Sequence, residues 1–343
     1  MVATSRIILG TMTFGPEGTA GARISTIEQT KECLQLFKDR GYSEIDTART
    51  YCSGQCEAWL TESGWQTEFH FSIATKVYPT EPYMHTKERL TELFNVSMAE
   101  LKADKVDIFY LHAADRAVPF AETLEAVNEI YKAGKFKILG ISNYTSYELA
   151  EAVTICRERG YVMPKIYQGR YNAVTRDIEL ELFPALRHYG IDFVAYNPLA
   201  GGLLSGKYNT RNIEEAATSG RFTEGSAQGK QYRARYFRSS YWEALDVLEA
   251  AVKETGIPLY EMALRWMVHH SALRIGGPHD VSGDGIIIGI SSKEQLATNL
   301  DSLEKGPLPQ AALDALDKAA LAVKLDSPNY WHGTLYYPND PIH

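Results

Sequence analysis

Short runs rich in β-branched residues recur along the chain, each separated from the next by a longer stretch of helical period. That alternation restricts the fold more than any other feature, because it is the pattern of a parallel sheet with crossover helices. The runs fall at residues 6–12, 43–48, 70–77, 105–112, 137–142, 165–170, 192–198 and 285–291. Between them the spacing predicts helices over 26–40, 87–102, 121–132, 147–159, 178–189, 241–255 and 293–304, with a further helix ending near His269-His270. In the first, Thr30, Cys33, Leu34 and Phe37 share one face. Gly41, Gly134, Gly160, Gly190, Gly256 and Gly306 stand where left-handed helix caps are expected. Eight such units suit a closed barrel better than an open sheet, so the expected fold is an α/β (β/α)8 TIM barrel. One domain then takes residues 1–343, with a long aperiodic loop at about 203–240 and a tail at about 325–343.

Charge and cysteine usage narrow the function. Lys plus Arg number 35 against 43 Asp plus Glu, a net charge of −8, which argues against a nucleic-acid or anionic-membrane surface and for a small-molecule partner. Four scattered cysteines, Cys33, Cys52, Cys56 and Cys156, form no disulfide framework in a chain of this length. With no signal-peptide pattern near Met1 and no apolar run of about 18 residues, the expected location is cytoplasmic.

Several motifs mislead. Gly201 to Lys207 has the spacing of a phosphate-cradling P-loop, but Tyr208 stands where a Ser or Thr must hold magnesium. Gly15, Gly18 and Gly21 do not make the Rossmann turn. Tyr161 and Lys165 would share a helix face, but Pro164 opposes a helix there. Cys52 and Cys56 with His269, His270 and His279 lack the second close pair that a structural zinc needs, so no metal is expected.

Barrel enzymes gather their chemistry at the C-terminal ends of the strands. There this sequence places Asp46 and, just beyond, Tyr51; then Lys76; then His112. A phenol, with its ordinary pKa of about 10, suits donation to a carbonyl becoming an alkoxide. Lys76 is expected to lower the Tyr51 pKa, Asp46 to keep the lysine charged and in place, and His112 to orient the carbonyl oxygen. Each alone reads equally as a turn residue, an ion pair, a rim aromatic or a core histidine. Four at successive strand ends are harder to explain by packing.

Gly41-Tyr-x-Glu-Ile-Asp46-Thr-Ala-x-x-Tyr51, Tyr110-Leu-His112, Gly140-Ile-Ser142-Asn143, the Tyr196 to Tyr208 stretch and Gly289-Ile-Ser291-Ser292-x-x-Gln295-x-x-x-Asn299 together resemble the aldo-keto reductases, most of all the aflatoxin-aldehyde reductase branch. The resemblance runs from about Arg6 to Leu300. It implies an NADPH-dependent reductase of aldehydes, with ketones as further substrates, in which Asp46, Tyr51, Lys76 and His112 are the catalytic tetrad and Tyr51 gives the proton. It also implies that Ser142, Asn143 and Gln168 hold the nicotinamide carboxamide and that Tyr196 stacks on the ring. Asn197, Pro198, Leu199, Gly201, Gly202 and Lys207 would wrap the pyrophosphate, and Gly289, Ser291, Ser292, Gln295 and Asn299 the adenosine phosphate. Many members carry Arg or Lys in this last run; here Ser291, Ser292 and Lys293 stand there, leaving Lys207 or Arg221 to supply the charge for NADP(H).

The basic, aromatic segment 229–238 is expected either as a solvated loop or as a lid over the phosphates or an acidic substrate. Met12, Tyr83, Arg116, Tyr330 and Trp331 are expected at the substrate mouth. The resemblance suggests a homodimer. Rival readings are an alcohol or sugar dehydrogenase running the same site in reverse, and a cofactor-bound sensor or channel-regulating subunit.

Overall fold

The computed structural model describes residues 5–208, 220–278 and 282–338. Part of the expected loop (209–219), His279 and the last tail residues (339–343) therefore lie outside the described residues. Strands β1 (Ile7–Gly10), β2 (Glu44–Asp46), β3 (Ser72–Val77), β4 (Val106–Leu111), β5 (Phe136–Ser142), β6 (Pro164–Arg170), β7 (Asp192–Tyr196) and β8 (Gly285–Gly289) pair in chain order, all parallel. β8 returns to β1, with Ile7 opposite Ile286 and Gly10 opposite Gly289, and closes the expected (β/α)8 barrel.

The strands are shorter than the apolar runs that announce them because pairing stops where the chain turns over the rim. Single bonds nevertheless continue past the ends, from Thr11 N–H to the Asp46 carbonyl and from Thr47 N–H to that of Ala74. Side-chain alternation divides the barrel wall into two faces. Ile8, Ala74, Ile108, Tyr110, Ile166, Val194 and Ile287 fill the interior as one cluster. The other face packs under the helices.

Around the barrel run α1 (Ile27–Asp39), α2 (Cys56–Glu62), α3 (Lys87–Leu101), α4 (Phe120–Lys132), α5 (Ser146–Arg159), α6 (Leu182–Tyr189), α7 (Ala227–Tyr236), α8 (Ser239–Thr255), α9 (Leu259–His269), α10 (Lys293–Leu303) and α11 (Gln310–Val323). Thr26 and Ser292 cap α1 and α10, and Thr145 with Glu148 forms a reciprocal capping box on α5. Gly160, Gly190 and Gly256 are the left-handed caps of α5, α6 and α8. Gly41 and Gly134, one residue past Arg40 and Ala133, take φ of 87° and 70° and end α1 and α4 in the left-handed conformation as expected, whereas α10 ends on Glu304 and Gly306 is not a left-handed cap.

The structure corrects the expectation of an aperiodic stretch through 240. Residues 227–236 form α7, started by the Ser226 side chain, which accepts from Gly229 N–H. Its sequence has no apolar stripe, yet Tyr232 and Tyr236 are buried against the turn at Ala200–Ser205 and against Phe222. Among the described residues no helix is long and apolar enough to cross a membrane, and no group of three or more His, Cys, Asp or Glu could hold a metal. All four cysteines are free and buried.

Candidate active site

The alternation that turns Ala74 and Ile108 inward also turns Lys76 and Tyr110 inward two residues later. Lys76 is fully buried there, and its Nζ donates to Asp46 Oδ1 at 2.5 Å and to the Thr47 carbonyl at 2.6 Å. The other oxygen of Asp46 accepts from Gln168 Nε2 at 2.9 Å, which ties β2, β3 and β6 together under the mouth. Tyr51 follows β2 in a 3₁₀ turn, and the Lys76 ammonium lies 5.0 Å from its ring centroid. His112 follows β4, edge-on to Tyr51 at 6.0 Å between ring centroids. The four expected residues are therefore assembled at one end of the barrel.

Their electrostatics differ from expectation in one respect. Burial, and then the Asp46 carboxylate, push the Tyr51 phenol well above its ordinary pKa, so it is not lowered as the sequence reading supposed. Burial dominates: the Lys76 ammonium, 5.0 Å from the Tyr51 ring centroid, is itself engaged by Asp46 and Thr47, and the Asp46 carboxylate adds to the upward shift. A phenol so placed keeps its proton at neutral pH, the state a donor needs. Burial lowers Lys76 although Asp46 opposes the shift. His112 is driven well below its usual range by burial and by the Lys76 charge, so it is a neutral imidazole whose buried Nδ1 has no partner.

The expected carboxamide residues join the same network. Asn143, at φ 59°, donates to the His112 carbonyl and to Ser142 Oγ, both at 2.8 Å, while its Oδ1 accepts from Tyr196 OH at 2.8 Å. Beyond β7, Asn197 accepts from Arg221 Nη1 at 2.9 Å and from Tyr232 OH at 3.3 Å. Pro198 and Leu199 are buried, Gly201 and Gly202 take φ of 71° and 107°, and Lys207 is exposed. A Cβ on Gly201 would come within 2.5 Å of Tyr232, so α7 lies directly over this strap. Arg221 also reaches β8, where a Cβ on Gly289 would meet its Nη2 at 2.7 Å. Arg221 and Arg235 lower the Tyr232 phenol even though its burial acts to raise it.

At the end of β8, Ser291 N–H and Oγ both donate to Gln295 Oε1, and Ser292 caps α10. A cleft of about 170 Å³ opens there between Arg23, Gln29, Glu32, Ser291, Ser292 and Lys293. The buried Nδ2 groups of Asn197 and Asn299 have no partner. These orphan donors, positive-φ glycines and a helix N-terminus make a donor set that fits the phosphates and riboses of a dinucleotide.

The expected substrate residues separate. Met12 and Trp331 are half-buried. Arg116 is not free for a substrate anion: it pairs with both oxygens of Glu148, at 2.7 and 3.1 Å, and donates to the His332 carbonyl at 2.6 Å. The Tyr330 hydroxyl donates to Glu181 and accepts from Ser146 N–H, which fastens the tail, and Tyr83 is 54% exposed. The sequence reading missed Tyr78 and His332. The Tyr78 ring contacts both His112, at 5.2 Å, and His332, at 5.9 Å. His332 N–H reaches the Asn143 carbonyl at 3.1 Å, and its Nε2 meets Arg235 Nη2 at 2.8 Å. Arginine only donates, so Nε2 accepts and the proton sits on Nδ1; burial and then Arg235 lower this histidine to about 3. The signal for His332 was its place beside Tyr330-Trp331 in an aromatic tail.

Residues 6–321 match the description Aldo/keto reductase family. Aflatoxin B1 aldehyde reductase member 2 of Rattus norvegicus is 40% identical over 331 residues, covering 94% of this chain and 87% of that protein. An aldo-keto reductase of Pseudocercospora fijiensis is 42% identical over 303 residues, covering 87% of this chain and 99% of its own. Oxidoreductase sirO of Leptosphaeria maculans is 36% identical over 327 residues, covering 94% and 96%. The chain belongs to the aldo/keto reductase family of oxidoreductases.

Proposed function

We propose that this protein reduces aldehydes to alcohols with NADPH, Tyr51 delivering the proton. The observation that carries the reading is the Asp46–Lys76–Tyr51–His112 cluster, with a protonated phenol and a neutral imidazole at one barrel mouth. Relatives named as aldehyde reductases support the substrate class. The cofactor, when bound, supplies the hydride. Ser142, Asn143, Gln168 and Tyr196 would hold its nicotinamide. Asn197, Pro198, Leu199, Gly201, Gly202, Lys207 and Arg221 would hold its pyrophosphate, and Gly289, Ser291, Ser292, Gln295 and Asn299 its adenosine end.

The chain's own groups then act on the carbonyl oxygen. His112 fixes its direction, and Tyr51 transfers a proton as charge develops there. Lys76, held by Asp46 with its ammonium 5.0 Å from the Tyr51 ring centroid, would offset the charge of the phenolate that remains. α7 would serve as the lid that excludes water, because it bears Tyr232 and Arg235 over the strap and the mouth.

The test is loss of reduced-nicotinamide absorbance with NADPH and NADH against aromatic, dicarbonyl and carboxylated aldehydes, using the native protein and Tyr51→Phe. We expect Tyr51→Phe to lose about 10²- to 10⁴-fold in kcat. NADPH binding, read by quenching of protein fluorescence, should persist. Full activity in Tyr51→Phe would refute the assignment.

A further inference from the structure

The turn that presents Tyr51 is the most strained segment at the site. Cys52, Ser53 and Gly54 take φ of 47°, 55° and 86° in succession. Side-chain-bearing residues avoid this region, so two of them in a row persist only where surrounding contacts hold them. Those contacts come from residues that no family motif in this chain assigns a role.

Arg49, two residues before Tyr51, donates through Nη2 to the Gly54 carbonyl and through Nη1 to Glu57 Oε2 at 2.5 Å. Its guanidinium occupies the space a side chain at 54 would fill, since a Cβ there would come within 2.7 Å of Nη2. Glycine is thus required at 54 by both φ and contact. Glu57, in the first turn of α2, is wholly buried, and its other oxygen accepts from Thr75 Oγ1 at 2.5 Å. Thr75 precedes Lys76 on β3. By strand alternation the Thr75 side chain points outward toward α2 while Lys76 points into the barrel. The backbone adds a third tie, Arg49 N–H to the Lys76 carbonyl at 2.9 Å.

We propose that Arg49 and Glu57 are positioning residues, which hold the Tyr51 phenol against Lys76 by clamping the left-handed turn to β3 from outside the barrel. The proposal rests on the reading of Tyr51 as proton donor. The fork geometry matters: a lysine at 49 can neutralise Glu57 but cannot reach Gly54 and Glu57 with two fixed donors.

Arg49→Lys, Thr75→Val and Thr75→Ser would be compared with Tyr51→Phe, with kcat referred to NADPH-binding sites titrated by fluorescence so that unfolded protein does not count. Arg49→Lys and Thr75→Val should each lower kcat about ten- to hundred-fold, because misplacement of a reacting group by about 1 Å has that effect. KM and the NADPH affinity should stay within about two-fold, since the clamp touches neither ligand. The alkaline limb of the kcat profile should move up by about one pH unit as the phenol leaves the lysine's field. Thr75→Ser should restore both readouts. Retention of native kcat in Arg49→Lys and Thr75→Val, with Tyr51→Phe inactive, would overturn the clamp while leaving the donor assignment standing. A loss of kcat that only follows a fall in Tm, with the alkaline limb unmoved, would also overturn it. An active Tyr51→Phe would instead remove the reading on which the clamp depends.

Discussion

The two ends of the barrel treat buried polar groups in opposite ways. At the N-terminal end every such group in two clusters is matched. Arg6 donates to both oxygens of Glu44, at 2.9 and 2.8 Å, and to the Gly283 carbonyl. Asp284 accepts from Arg187 through both oxygens and from Phe193 and Arg274 N–H. At the C-terminal end, His112 Nδ1, Asn197 Nδ2 and His332 Nδ1 are buried without partners, and Arg235 rests on a neutral imidazole. One rim is built for stability, and the other keeps donors in reserve for a ligand.

The sharpest way to break this contrast is to damage the N-terminal rim. Arg6→Met leaves Glu44 buried and unpaired, so urea unfolding should show a loss of about 3–5 kcal/mol. Turnover per folded molecule should hold, the inverse of what Tyr51→Phe does. If Arg6→Met instead lowered kcat at full stability, the division between rims would fail.

Acid should test the other end. Burial lowers His85 from 6.5 to about 4. The unfolded chain therefore binds more protons between these values, so stability is complete above about 6.5 and is lost as pH falls toward 4. The group contributes on the order of 3 kcal/mol. His85→Phe should flatten that slope in a pH series of Tm values, and an unchanged slope would show that other groups carry it.

The smallest expected effect is at Arg221. Arg221→Met removes the contacts to Asn197 and Tyr232 and should weaken NADPH binding about ten-fold. An equal loss for NADH would place the interaction at the pyrophosphate, and a loss confined to NADPH would place it at the extra phosphate.

The barrel was legible because each strand is buried on both faces and so reads as a continuous apolar run. The gathering of Asp46, Lys76 and His112 was legible for a related reason: strand alternation carries them to the same rim without help from distant contacts. α7 was not legible, because Tyr232 and Tyr236 are set among Gln, Lys and Arg and only tertiary burial reveals their role. Nor was the direction of the Tyr51 shift, which depends on how completely the fold buries the phenol and on the Asp46 carboxylate beside it. His332 escaped because its partners, Asn143 and Arg235, lie far away in the chain.

Closure of β1 against β8 has a consequence for biosynthesis. β8 is the last strand of the barrel to emerge from a ribosome, so until it does β1 and β7 are open edges with unpaired amides and carbonyls. The nascent chain therefore carries an adhesive seam through most of its translation. Its demand on chaperones should be highest just before residues 285–289 arrive and should fall sharply once they dock.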